Sequence, residues 1–245
     1  MPSQNSLLRR TVWDKPQGHF YGILRWAALL KMPVPHRSDS GIRQKWMTGI
    51  DFHIFDIACA LMGGIASVAA RSRRLYAERP AAAGGRATSV TVDDLTASLV
   101  QFRSGATGAV HASWAATGHK SDLAFSVVGT EGAIEFQWER NNELHFYSRK
   151  DDKRTAGFRR IMIGGMHPEA AAFWQAQGQG LGYGDAFVVT ARRLIQAIQM
   201  EESHFEPNFA QALHISRVIE AAIQASEINS WVAVTGPDPF WQAIG

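Results

Sequence analysis

The chain has 245 residues, 46% of them hydrophobic and 19% charged, with a formal net charge of +3. This is ordinary globular composition, enough for one large domain or two small ones. The charge surplus is too small for a nucleic-acid stripe, and no run approaches the roughly eighteen apolar residues of a membrane helix.

In chain order, residues 20 to 30 are apolar and suit a strand or a short helix. Pro33 and Pro35 end that run and open a polar loop to about Lys45. Phe52, Phe55, Cys59 and Met62 then recur at helical steps, and Gly63-Gly64 supplies the stop. The lone cysteine, Cys59, lies in that run and reads as a small buried hydrophobe of a reducing compartment. Strand-like segments follow: 65 to 76, 95 to 102, 107 to 114, 123 to 128, 133 to 138 and 144 to 147, with a short one near Ile161. Leu123, Phe125 and Val127 share one face, as do Ile134, Phe136 and Trp138. Short turns such as Ser104-Gly105 and Gly129-Thr130-Glu131-Gly132 make consecutive strands antiparallel. Arg71, Arg73 and Arg74 read as a solvated strand end, and Pro80 to Gly85 as a loop. Helices return at 185 to 200 and 208 to 226, before a last strand near 231 to 234. The expected class is α+β: a large, mostly antiparallel sheet with helices packed on one face. No Gly-x-Gly-x-x-Gly stands between a strand and a helix.

The densest chemistry is Gly49-Ile50-Asp51-Phe52-His53-Ile54-Phe55-Asp56. His53 and Asp56 share a helix face. A histidine beside a carboxylate is the commonest equipment for moving a proton near neutral pH. Asp93 and Asp94 precede a strand and read as turn residues. The remaining histidines, among them His111, His119, His145, His167 and His214, show no zinc-ligand spacing, so no metal site is expected. His119 and Lys120 fall in a loop where a substrate contact is expected, and Tyr183 follows a glycine-rich stretch that lacks the ending of a phosphate loop. Eight tryptophans suit sugar stacking or a sheet interface. The N-terminal segment Met1 to Thr11 has no apolar signal core, so a cytoplasmic location is expected.

Several motifs occur in a fixed order: Gly49 to Asp56, Val92-Asp93-Asp94, Ser104 to Gly108, Val128 to Ile134, His167-Pro168, Gly180 to Tyr183 and Pro207-Asn208-Phe209. The set resembles the C-terminal domain of the glucose–fructose oxidoreductase / inositol dehydrogenase / MocA family. The resemblance divides the chain into a poorly matching segment 1–45, a substrate-binding and dimerisation domain 46–235 and a tail 236–245. It implies NAD or NADP as cofactor, held by a Rossmann domain outside this sequence, with no cofactor-binding residue here. It implies a sugar-like or cyclitol substrate and a homodimer through the open sheet face, or pairing with a Rossmann-containing relative. In family terms His53 is the catalytic residue and Tyr183 a substrate contact; Asp56, which shares the helix face of His53, and His119 and Lys120, in a loop after a strand, are the other expected substrate contacts.

Two departures stand out. Asp14-Lys15-Pro16 only echoes the family's Glu-Lys-Pro. The family's Asp-x-Gly-x-His carries an acid where this chain has Gly49, and Asp51 occupies the family's glycine position. The expected function is therefore the substrate-binding part of an NAD(P)-dependent oxidoreductase, truncated and inactive without a Rossmann domain. The alternative is a non-catalytic sugar-binding or dimerisation module.

Overall fold

A nine-stranded sheet forms the centre of the molecule, in the order β10-β9-β8-β7-β1-β6-β5-β2-β11. The computed structural model describes residues 18–26, 47–79, 88–90, 92–173, 176, 178–202 and 205–240. The strands are β1 (His19–Trp26), β2 (Ile65–Arg73), β5 (Leu95–Phe102), β6 (Thr107–Ser113), β7 (Ser121–Val128), β8 (Gly132–Gln137), β9 (Glu143–Ser148), β10 (Arg159–Met162) and β11 (Val232–Ala233). Two short strands, β3 (Glu78–Arg79) and β4 (Thr88–Ser89), pair separately. The helices are α1 (Met47–Met62), α2 (Pro168–Ala171), α3 (Tyr183–Gln199) and α4 (Phe209–Ile228).

The meander from β5 to β10 pairs antiparallel, as its short turns require, but β7 meets β6 only through β1. That strand runs parallel to β6 and antiparallel to β7. The segment before residue 46 thus supplies a central strand of the same sheet. The loops expected at Pro33 to Lys45 and Pro80 to Gly85 lie outside the described residues, as does Asp14-Lys15-Pro16.

Helices cover one face of the sheet. Along β5, Thr96, Ser98, Val100 and Phe102 are buried while Ala97, Leu99 and Gln101 are exposed. Helix α1 lies over β1 and β6, and α4 lies over β2 beside α1. Ile54, Phe55, Ala58, Cys59 and Met62 of α1 pack into the core with Phe20, Val68, Val100, Phe102, Ile215 and Val218. Gly22 on β1 lets the helix approach: a Cβ there would meet the Ile54 side chain at 2.9 Å and the Phe20 ring at 2.5 Å. Helix α4 starts at a reciprocal cap, where Asn208 Oδ1 accepts from the Ala210 and Gln211 amides and Gln211 Oε1 accepts from the Asn208 amide. His214 is buried in α4; its Nε2 accepts the Ile65 amide at 3.2 Å, and desolvation holds its pKa below the ordinary value. The tail is tied in as well, since Asp238 accepts from the Gly64 and Phe240 amides.

Among the described residues the helices pack mainly over β1, β6, β5 and β2 rather than over β7 to β10. Leu123, Phe125, Leu144 and Phe146 pack against the core but stay only partly buried, and every residue of β10 is exposed.

Candidate functional site

Sheet polarity decides what gathers where. Helix α1 turns at Gly63-Gly64 into β2, so its start lies toward the end of the sheet at which β2 finishes. Leu95 of β5, Ser113 of β6, Arg25 of β1 and Asp122 of β7 are aligned across that same end. The start of α1, the Asp93-Asp94 turn, the β6–β7 loop and the β8–β9 connection therefore crowd one end of the sheet.

On α1 the two faces of the helix split the motif. His53 is exposed, whereas Asp51 is 1% exposed. Positions 51, 55, 58 and 62 lie on one helical stripe, so Asp51 sits on the apolar face and not beside His53. Burial, reinforced by Asp93, pushes the Asp51 carboxyl well above the ordinary carboxylate range, and its Oδ2 finds no hydrogen-bond partner. The protonated form is the one such an environment favours. Asp56 is the acid that senses His53. Its pKa is raised by partial burial, and the nearby imidazole acts in the opposite direction. Asp94 serves the turn: its Oδ2 accepts the Leu75 amide at 2.7 Å and the Tyr76 amide at 3.1 Å.

Tyr183 is the first residue of α3 and is 67% exposed. Its ring meets Trp138 edge-on at 6.3 Å and Phe187 at 5.0 Å. Trp138 continues through Phe136 and Phe125 to Phe20, so an aromatic series runs from the core to the tyrosine along the helix-bearing face. The adjacent turn is held by Asn142, whose side chain accepts the Leu181 amide and donates to the Leu181 carbonyl.

His119 and Lys120 are placed differently. His119 Nδ1 lies 3.0 Å from Oδ2 of the buried Asp122, whose other oxygen accepts from Gln137 Nε2 at 3.4 Å. Asp122 is in register with Arg25, an odd-numbered position of β1 like Tyr21, while Phe20 and Gly22 face α1. The His119–Asp122 pair thus belongs to the uncovered side of the sheet. The Lys120 amide donates to Glu139 Oε1 at 2.8 Å.

The structure therefore groups His53 with Asp56 on α1 and Tyr183 with Trp138 at the rim of the aromatic series, and it sets His119 and Lys120 on the other side. Sequence reasoning missed Trp138 as the support of Tyr183, and missed the partner Asp122. The three-residue step from His119 to Asp122 was the available signal. Among the described residues no cluster of histidine, cysteine and acidic side chains is arranged to hold a metal ion. No described helix is long and apolar enough to cross a membrane.

Comparison with known proteins agrees with this geometry. Residues 20–135 match the family model of the GFO/IDH/MocA C-terminal domain. A levoglucosan dehydrogenase of Pseudarthrobacter phenanthrenivorans is 30% identical over 222 residues, which are 85% of this chain and 57% of that protein. The structure of a levoglucosan dehydrogenase in complex with NADH and levoglucosan superposes with a TM-score of 0.85 at 28% identity, over 95% of this chain and 62% of that one. An NAD binding oxidoreductase from Klebsiella pneumoniae superposes with a TM-score of 0.87 at 30% identity, again over 95% of this chain and 62% of that one. The chain thus spans about three fifths of the length of these relatives. The matched residues and these structural relatives together make the chain similar to the C-terminal domain of the GFO/IDH/MocA family.

Proposed function

We propose that this chain forms the sugar-facing part of an NAD(P)-linked dehydrogenase, with the floor of its substrate cleft on the half-covered aromatic strip beside α1. The observation that carries the reading is the exposed His53 on a helix whose other faces are packed, next to a strip in which Phe125, Leu144 and Phe146 are only partly buried. A sugar presents apolar C–H faces and polar edges. Aromatic and aliphatic side chains receive the first, and His53, Asp56 and Tyr183 supply polar partners for the second. Oxidation of a carbinol requires its hydroxyl proton to leave, and an imidazole is suited to accept it. Asp56, in electrostatic contact with His53, stabilises the imidazolium that results.

The described elements include no strand–glycine turn–helix unit that suits a dinucleotide, so no step is assigned to this chain's residues through a nicotinamide. The relatives, about two fifths of whose length lies outside the match, include proteins whose structures contain NADH. In this reading the cofactor is held by a nucleotide-binding unit, and the uncovered sheet face, with Tyr21, Leu99 and Val128 exposed, pairs with a second copy.

Asp51 favours a second reading. With Gly49 at the family's acid position and Asp51 turned into the core, the usual carboxylate before the histidine is missing, which suits a sugar-binding module without turnover. The two readings separate on one experiment. Levoglucosan and NADH are titrated into the chain alone, then with a nucleotide-binding unit supplied in trans. The enzyme reading expects sugar binding that His53→Ala weakens, no saturable NADH binding by the chain alone, and turnover in the reconstituted pair. Binding without turnover until Gly49→Asp and Asp51→Gly are introduced supports the module. Micromolar NADH binding by the chain alone overturns the division of labour assumed in both.

A further inference from the structure

The corner between β8 and β9 grips the segment that leads into α3. One turn of 3-10 helix, Trp138–Arg140, is followed by Asn141 and Asn142 before β9 begins at Glu143. Short amide side chains suit such a corner, because they bond backbone groups that have no ladder partner. Here they reach backbone 39 residues further along the chain.

Asn142 Oδ1 accepts the Leu181 amide at 2.6 Å, and Asn142 Nδ2 donates to the Leu181 carbonyl at 3.1 Å. One side chain thus satisfies both backbone groups of Leu181, as a neighbouring peptide would. Asn141 Nδ2 donates to the same carbonyl at 3.3 Å, and Asn141 Oδ1 accepts from Asn142 Nδ2 at 2.8 Å, which fixes the orientation of the Asn142 amide. The Ile163 amide donates to the Asn142 carbonyl at 2.8 Å and ties the corner to the end of β10. Gly180 leaves room for this clamp. A Cβ there would meet the Asn142 amide group at 2.5 Å, and the glycine is not among those with positive φ, so contact alone excludes a side chain.

Tyr183 stands two residues beyond Leu181. Helix α3 gives it little support, since Ala197 is the only buried residue of that helix. The tyrosine ring leans on Trp138, which belongs to the same corner as the asparagines. The corner therefore holds Tyr183 at two points, the Leu181 backbone and the Trp138 ring.

We infer that Asn142, assisted by Asn141, is a positioning residue that fixes the turn at 180–182 so that the Tyr183 ring stands against Trp138 at the rim of the sugar cleft. The inference rests on the cleft proposed above. The side-chain bonds of Asn142 go to Leu181 and Asn141, so it acts through Tyr183 and not on the sugar. A ring already in place spares the ligand the cost of ordering it, and loss of the clamp weakens binding without deleting a contact.

The test compares the wild-type chain with Asn142→Ala, Gly180→Ala and Tyr183→Ala. Nuclear Overhauser contacts between the Tyr183 and Trp138 rings are read without ligand, and levoglucosan affinity is read by calorimetric titration. Asn142→Ala and Gly180→Ala are each expected to lose the ring contacts and to weaken levoglucosan binding about tenfold. Their combination is expected to be no weaker than either alone, because both break one clamp. Added to Tyr183→Ala, Asn142→Ala is expected to weaken binding no further, which a general loosening of the fold would not reproduce. Ring contacts that survive in Asn142→Ala overturn the inference. So does a wild-type affinity that neither clamp variant lowers, or a further tenfold loss when Asn142→Ala joins Tyr183→Ala. If Asn142→Ala does not fold, the same readings on Gly180→Ala decide the matter. A wild-type chain that binds no levoglucosan strikes the cleft reading instead, and the ring contacts then decide the clamp by themselves.

Discussion

The two halves of the sheet face different fates on their helix-bearing side. Over β1, β6, β5 and β2 the helices bury Phe20, Val110, Val100 and Val68 to 3% exposure or less. Over β7 to β10 the described helices bury little; all six residues of β9 are intermediate in burial, and β10 is exposed throughout. The first half is where tertiary packing holds the fold together. The second keeps an apolar strip beside its polar rim, the combination that a ligand or a partner can use. Deep packing and exposed apolar surface thus fall on different strands of one continuous sheet.

Substitutions should break that division unequally. The largest effect is expected at Phe55, fully buried in α1: Phe55→Ala should cost about 3–5 kcal/mol, read as a lowered urea midpoint. Phe146→Ala in the uncovered half should cost clearly less, and an equal loss would erase the contrast.

Asp51 is the next probe. Its folded-state pKa is raised, so the folded protein binds the proton more tightly than the unfolded chain does. Stability is therefore greatest below the ordinary carboxylate pKa and falls as pH rises through the raised value, then stays level. Asp56 contributes in the same direction. Asp51→Asn should remove the larger part of that fall, about 1–3 kcal/mol by analogy with an unsatisfied buried group. A variant with the wild-type pH slope between mildly acidic and neutral pH would show that Asp51 is not protonated in the core.

Asn208→Ala removes the α4 cap and should cost about 1 kcal/mol, with the loss confined to the covered half in hydrogen exchange. The smallest effect on stability is expected at His53, where His53→Ala should stay within about 0.5 kcal/mol while levoglucosan binding on the helix-bearing face weakens. A large stability loss there would place His53 in the structural half of the comparison.

Most of the element list was readable in order from local patterns. Phe52, Phe55, Cys59 and Met62 marked the helix, and the alternation at Leu123, Phe125 and Val127 marked a strand. The start of α1 at Met47 was not readable, because the apolar spacing begins only at Phe52. The site was legible in part. The sequence marked His53 and Asp56 as neighbours, whereas the burial of Asp51 on the stripe with 55, 58 and 62 emerged only in the fold. The three-residue step from His119 to Asp122 hinted at that pair, but nothing in the sequence showed that it would lie on the opposite side of the sheet from α1, since side assignment depends on β1 and its register.

What this sequence determined by itself is what short-range physics encodes: helical and strand periodicity, the glycine stop after Met62 and the antiparallel pairing of strands joined by tight turns. Only the tertiary structure decided that β1 enters between β6 and β7, nearly ninety positions away from β6 in the chain, and that the helices cover half the sheet. Those choices rest on long-range pairing and on where apolar surface finds a partner. No local window of residues contains that information.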